Sequence, residues 1–181
     1  VRELRASGEP SDHGSGVSRP VREGDRVVGN PLLYCGVCAS CLSGRPNLCA
    51  FPQALGGAGD VVIDGAFAEY VAVPIASLGP LSDTMGWDRG AMVEPVACCL
   101  HGINRSRIRQ GDLVVVIGAG VIGLLLMQLA SLHGAAVIAL ETSSSRREEA
   151  KRSGASEALD PQDPLFEEAF RAVPGGRGAD V

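Results

Sequence analysis

Residues 113–123 read Leu113-Val114-Val115-Val116-Ile117-Gly118-Ala119-Gly120-Val121-Ile122-Gly123. The first five are apolar and four of them β-branched, the pattern of a strand buried on both faces as in a parallel sheet. Gly118 to Gly123 then spell G-x-G-x-x-G, and Val121 to His133 are apolar almost all round, which predicts a buried helix. The glycine string means little alone; between a buried strand and a helix it has a mechanical reading. Gly118 permits a tight turn, Gly120 lets backbone approach a pyrophosphate, and Gly123 lets helix and strand pack closely. The helix start, with Val121 and Ile122, would present free N–H groups and a positive dipole to the phosphates.

Working toward the C-terminus, Val137–Leu140 predicts a second buried strand, and Glu141 ends it 21 residues after Gly120. A carboxylate there accepts hydrogen bonds from ribose hydroxyls and repels a 2′-phosphate, which favours NAD over NADP. Arg146 and Arg147 argue the other way, since an arginine can hold a 2′-phosphate. A fold of this type that binds no nucleotide is the remaining alternative. Ser144–Ser153 predicts a polar helix stopped by Gly154, Glu157–Asp160 a short third strand, and Asp163–Val173 an amphipathic helix. Gly178–Val181 leads into a further strand, so residues 111–181 read as the N-terminal half of a Rossmann domain.

Toward the N-terminus the texture differs. Residues 1–20 are rich in Gly, Ser, Pro and charge and read as a frayed or displaced end. Residues 21–82 form a second region, with strands expected at Asp25–Asn30 and Gly65–Pro74. Residues 83–110 link the two regions through a helix over 88–105, interrupted near Pro95. Cys35, Cys38, Cys41 and Cys49 lie in a lobe at 34–53 with spacing C-x2-C-x2-C-x7-C. Three thiolates two residues apart can face one point, and a return through Gly44 and Pro46 brings the fourth. Four sulfurs without an open position suit a structural zinc. Backbone N–H groups and Arg45 would offset its formal charge. Disulfides would require an oxidising compartment, and iron–sulfur runs have similar short spacing; both stay open. Cys98 and Cys99, adjacent on the linking helix, read as buried free thiols.

Composition narrows the functions. With 16 Lys+Arg against 21 Asp+Glu and 4% aromatics, nucleic acid is a disfavoured partner. Arg105, Arg107 and Arg109 read as a solvated turn. The 24 glycines among 181 residues are about twice the usual share and point to tight turns rather than a helical bundle. No long uncharged apolar run predicts a membrane span. Arg2, Glu3, Arg5 and Glu9 argue against a signal peptide, so a cytoplasmic location is expected. The chain starts at Val1 and stops at Val181 inside an expected strand; both ends look cut.

Together, 24–49 (GDRVVGNPLLYCGVCASCLSGRPNLC), 65–74 (GAFAEYVAVP), 93–102 (VEPVACCLHG) and 111–125 (GDLVVVIGAGVIGLL) resemble the zinc-containing medium-chain alcohol dehydrogenase family in its polyol and sorbitol dehydrogenase-like branch. The resemblance covers about residues 14–181. It implies part of a GroES-like β-barrel domain with a zinc lobe joined to a Rossmann half, and homo-oligomers in the intact family. It implies oxidation of an alcohol or polyol with hydride transfer to NAD, and a second, catalytic zinc. Glu94, before Pro95, matches an acidic residue of that zinc's region; Ile122, Glu141 and Arg146 match NAD-holding positions; His101 matches a helix position and reads as packing. The family's Cys and Gly-His-Glu upstream of the GDRV strand have no counterpart here. This chain alone is therefore expected to be inactive, and a non-catalytic remnant keeping structural zinc and weak nucleotide binding is the alternative.

Overall fold

A computed structural model describes residues 20–57, 63–173 and 178–181. The expectation of a frayed end at 1–20 falls almost wholly outside them. The chain divides into two compact units, 1–91 and 92–181.

The first unit is built from short elements. Strand β1 (Val27–Gly29) pairs antiparallel with β4 (Leu78–Pro80), and β2 (Leu32–Leu33) pairs antiparallel with β3 (Gln53–Ala54). Between β2 and β3 lie the four-residue helix α1 (Ala39–Leu42) and a single 3-10 turn, Pro46–Leu48. Helix α2 (Trp87–Ala91) ends the unit. Arg26 fastens the segment before α2 to β1: its Nη1 donates to the carbonyls of Ser82, Asp83 and Met85, and its guanidinium lies 3.9 Å from the centre of the Trp87 ring.

One expected strand is absent. Gly65–Pro74 alternates as a half-buried strand would, yet it runs as bends and coil. Strand structure requires a partner for its backbone groups, and none of the ladders in the described residues includes this segment. Phe67 and Tyr70, which would pack a sheet face, are 112% and 71% exposed.

The second unit begins with α3 (Val93–Ser106). The expected interruption near Pro95 falls at Met92, between α2 and α3. Pro95 excludes a helical carbonyl four residues back, so α3 restarts at Val93 and Pro95 occupies its first turn, where an N–H has no intrahelical partner. Beyond it, β5 (Leu113–Ile117), α4 (Val121–Leu132), β6 (Ala136–Leu140), α5 (Ser144–Arg152), β7 (Glu157–Leu159) and α6 (Phe166–Arg171) follow the expected alternation. The three strands are parallel in the order β5-β6-β7. On the other edge of β5, Val181 donates to the Leu113 carbonyl and accepts from the Val115 N–H at 2.9 Å. The sheet order is then third, second, first, fourth, as in a doubly wound sheet.

The core gathers Val114 and Val116 of β5, Val137 and Ala139 of β6, Met127 and Ala130 of α4, and Ile103 of α3. Helix α4 is less buried than its composition suggests. Gly123, Met127 and Ala130, spaced i, i+4 and i+7, form its buried stripe. Val121, Ile122 and Leu132 are 59%, 51% and 82% exposed.

Candidate functional site: a four-thiol cluster and a glycine turn

In the first unit, local backbone chemistry gathers the four thiols. Cys35 follows β2, Cys38 caps the start of α1, Cys41 lies within α1, and Cys49 follows the 3-10 turn. Gly36 and Gly44 take left-handed φ of 74° and 73°, which lets so short a segment coil on itself. The four sulfurs lie within 4.8 Å of one another, with Cys38–Cys41 and Cys35–Cys49 each at 3.5 Å. A zinc–sulfur bond near 2.3 Å gives a tetrahedral edge of about 3.8 Å, so this donor set fits one tetrahedral thiolate-bound ion. All the cysteines are free thiols, and the sulfur separations exceed the ~2.05 Å of a disulfide bond.

N–H donors compensate the charge. Cys35 N–H and Phe51 N–H donate to Cys49 Sγ at 3.3 Å, and Ala50 N–H to Cys38 Sγ at 3.5 Å. The Ala50 N–H is the main cause that draws the Cys38 thiol down to about 6. Desolvation and the bond with Cys38 push Cys41 up to about 12, while the Cys35 N–H lowers Cys49. Arg45, expected to share in this compensation, instead donates to Ser43 Oγ.

In the second unit, Gly118 turns the chain out of β5 with φ 93°, and its N–H donates to the Leu140 carbonyl. Gly120 caps the start of α4, and a Cβ there would meet nothing within 4 Å. Gly123 is buried, and a Cβ on it would overlap the Gly118 carbonyl oxygen. The first-turn N–H groups of α4, at Val121 and Ile122 among others, have no partner within the helix. A cavity of about 630 Å3 lies beside this turn, bordered by Gly118, Gly120, Ile122, Val116, Ile103 and Leu126, within the size range of small-ligand sites.

Glu141 is only 8% exposed and reaches across to the turn. Its Oε2 accepts from Ala119 N–H at 2.8 Å and its Oε1 from Ser143 N–H at 2.9 Å. Those two N–H groups, Ser143 first, hold its carboxyl below the usual carboxylate range. A depressed folded-state value contributes stability that is complete above the unfolded value of about 4.3 and is lost as pH falls through the folded one. Glu141→Gln is accordingly expected to lower the thermal midpoint at neutral pH, with the gap from wild type narrowing as pH falls below about 4. Melting curves between pH 3 and 7 check this; a gap independent of pH would contradict it.

The two arginines part company. Arg147 is engaged internally, with the Glu141 and Thr142 carbonyls and Asp160, whereas Arg146 is exposed and acts on Glu141 only through its charge. The sequence pattern did not reveal the inward role of Arg147; the signal was an acid, Asp160, just past the next parallel strand.

On α3, Glu94 is exposed and accepts the Cys98 thiol at 3.2 Å. Cys98, expected to be buried, is exposed; Cys99 is 2% exposed and donates to the Ile122 carbonyl at 3.7 Å. Adjacent helical residues point some 100° apart, so one faces α4 and the other does not. His101, expected to pack, is exposed by the same geometry, one turn from Cys98. Among the described residues, the four-cysteine set is the one His, Cys, Asp or Glu group able to hold a metal. No helix there is long and apolar enough to cross a membrane.

Two family models match this chain: the alcohol dehydrogenase GroES-like domain over residues 4–83 and the zinc-binding dehydrogenase domain over 121–181. The first begins upstream of residue 14, where the resemblance read from the sequence begins. A sorbitol dehydrogenase of Halalkalibacterium halodurans is 40% identical over 97% of this chain and 50% of its own length. The L-galactonate-5-dehydrogenase of Escherichia coli is 36% identical over 86% of this chain and 44% of its own. A Sinorhizobium meliloti protein assigned as a zinc-binding dehydrogenase, solved bound to NADP, superposes with a TM-score of 0.75 at 40% identity, covering 88% of this chain and 45% of that one. The chain thus spans about half the length of the curated relatives it matches. With both family models on it in order, and with relatives of this similarity across nearly all of its length, the chain belongs to the zinc-containing medium-chain alcohol dehydrogenase family.

Proposed function

We propose that this protein is a zinc-containing oxidoreductase of the polyol dehydrogenase type, which oxidises a secondary alcohol and passes the hydride to NAD. The observation that carries the nucleotide half is Glu141, drawn against the glycine turn by the Ala119 N–H at the end of β6. In this reading the free N–H groups of α4 hold the pyrophosphate, Gly120 leaves room for it, and Glu141 receives the ribose hydroxyls. Bound nicotinamide supplies the hydride acceptor. Cys35, Cys38, Cys41 and Cys49 hold a structural zinc that braces the lobe and takes no part in the chemistry. Four thiolates need reducing surroundings, which supports a cytoplasmic location. The family supports a homo-oligomer and a small alcohol or polyol as substrate.

The exposed Arg146 and the NADP of the Sinorhizobium protein favour a 2′-phosphate. The buried carboxylate outweighs them in this reading, because a second negative charge beside it lacks a fixed counter-ion. Titration calorimetry with NADH and NADPH is expected to show at least ten-fold tighter NADH binding, as one charge-assisted hydrogen bond of about 1.5–3 kcal/mol would give. Equal affinities would overturn the preference, and no binding of either would remove the nucleotide reading. Glu94 stands without further ligands among the described residues. A second reading is that these 181 residues bind zinc and dinucleotide without turnover. NADH formation from sorbitol in the presence of zinc would refute it.

A further inference from the structure

We propose that Arg147 is a positioning residue that sets cofactor specificity by bracing the backbone from which Glu141 reaches the glycine turn. This rests on the dinucleotide reading above. Arg147 stands one turn into α5, and its Nη1 lies 2.8 Å from the Glu141 carbonyl, 2.7 Å from the Thr142 carbonyl and 3.0 Å from Asp160 Oδ2. Two successive carbonyls converge on one cation only if the chain bends sharply where it leaves β6. That same bend turns the Ser143 N–H back toward Glu141 Oε1 at 2.9 Å. The carboxylate then has one oxygen held by Ser143 and the other by Ala119 of the glycine turn. Arg147 thus ties the end of β6 to Asp160 beyond β7, and Glu141 in turn ties the end of β6 to the turn after β5.

The ion pair is better placed than most surface pairs. Its two side chains are 24% and 26% exposed, and the two N–H groups of the same Nη1 are shared among Asp160 Oδ2 and the two carbonyls, so its loss removes the donor that these three oxygens share. By contrast, Lys151–Glu157, Arg152–Glu149 and Arg171–Glu167 are solvated pairs with side chains 47% to 81% exposed. Arg147 Nη1 is directed inward, whereas Arg146 is the exposed arginine beside Glu141. Rejection of NADP then depends on how firmly Glu141 is held, with Arg146 as the opposing charge.

The test is Arg147→Met in the purified protein, with Arg147→Lys and Asp160→Asn beside it. Amide hydrogen exchange reads the brace without any ligand. Protection of Ala119 and Ser143 is expected to fall at least ten-fold in Arg147→Met, with the central amides of β5 and β6 unchanged. Unchanged protection at Ala119 and Ser143 would overturn the proposal. NADH and NADPH titrations read specificity. NADH affinity is expected to fall five- to ten-fold while NADPH affinity holds or rises, and the effect on NADH should vanish in a Glu141→Ala background. An equal loss for both cofactors, or the same loss in that background, would mean a general structural role and would also overturn it. If Arg147→Met does not fold, the lysine and asparagine variants carry the same comparisons. If the wild type binds neither cofactor, the nucleotide reading fails while the exchange result still decides the brace.

Discussion

Cys49→Ser is expected to release the metal and unfold the segment from Cys35 to Ala54, while the second unit stays folded. The lobe has little besides its four sulfurs to hold it. Its helix spans four residues and its two strands two residues each. Val37, Leu42, Leu48 and Phe51 are 74%, 76%, 55% and 69% exposed, so they contribute no core. In such a segment the binding free energy of the metal is the folding free energy, about 10–16 kcal/mol in small zinc modules at neutral pH. Cys49 is the most sensitive of the four. It alone is buried, and its sulfur accepts the N–H groups of both Cys35 and Phe51. The wild type is expected to carry one zinc per chain, released on acidification because protons compete for the thiolates. Elemental analysis of wild type and variant, with limited proteolysis at Arg45, makes the comparison. Cleavage at Arg45 in the variant but not in zinc-loaded wild type is the expected result. Zinc retained by Cys49→Ser, iron in the wild type, or equal cleavage in both would refute it.

What could be read from the sequence was what depends on neighbours along the chain. The run Leu113–Ile117 is a strand wherever it is buried, and the glycines after it admit one kind of turn. The cysteine spacing likewise carries its own geometry, since α1 and the 3-10 turn are local structures that bring the sulfurs round. Features that depend on a partner distant in sequence were not legible. Gly65–Pro74 has a strand's alternation but no ladder in the described residues. Cys98 and Cys99 look alike in sequence, and only the packing of α3 against α4 decides which is buried. Arg147 looked like a candidate for binding phosphate from outside. The carbonyls it holds are brought to it by the bend after β6, and Asp160 by the end of β7, neither of which is local to Arg147 in sequence pattern.

Gly123→Val is expected to have the other large effect, and paired with Gly120→Ala it separates folding from binding. Gly123 sits in the first turn of α4, where a Cβ would overlap the Gly118 carbonyl oxygen and lie 3.0 Å from its carbon. That neighbour is backbone, held by the Gly118 N–H bond to the Leu140 carbonyl and by a φ of 93° that only glycine adopts readily. It cannot move aside without parting α4 from β5, whose Val116 Cγ1 lies 3.6 Å from the same point. Overpacking a close contact costs about 1–3 kcal/mol even where side chains can yield. Against fixed backbone, valine should leave the second unit unfolded at 37 °C, and alanine should lower its thermal midpoint by several degrees. Gly120 differs, although it lies only three residues earlier. Its φ is −78° with extended ψ, and an added Cβ meets no atom within 4 Å. Gly120→Ala should therefore fold with an unchanged midpoint, while its methyl occupies the space where pyrophosphate must approach the α4 N–H groups, so dinucleotide affinity falls at least ten-fold. Circular dichroism melts and NADH titration of both variants make the comparison. A Gly120→Ala protein that melts early, or that binds NADH as the wild type does, would mean that the open side of the turn is not where the phosphates lie.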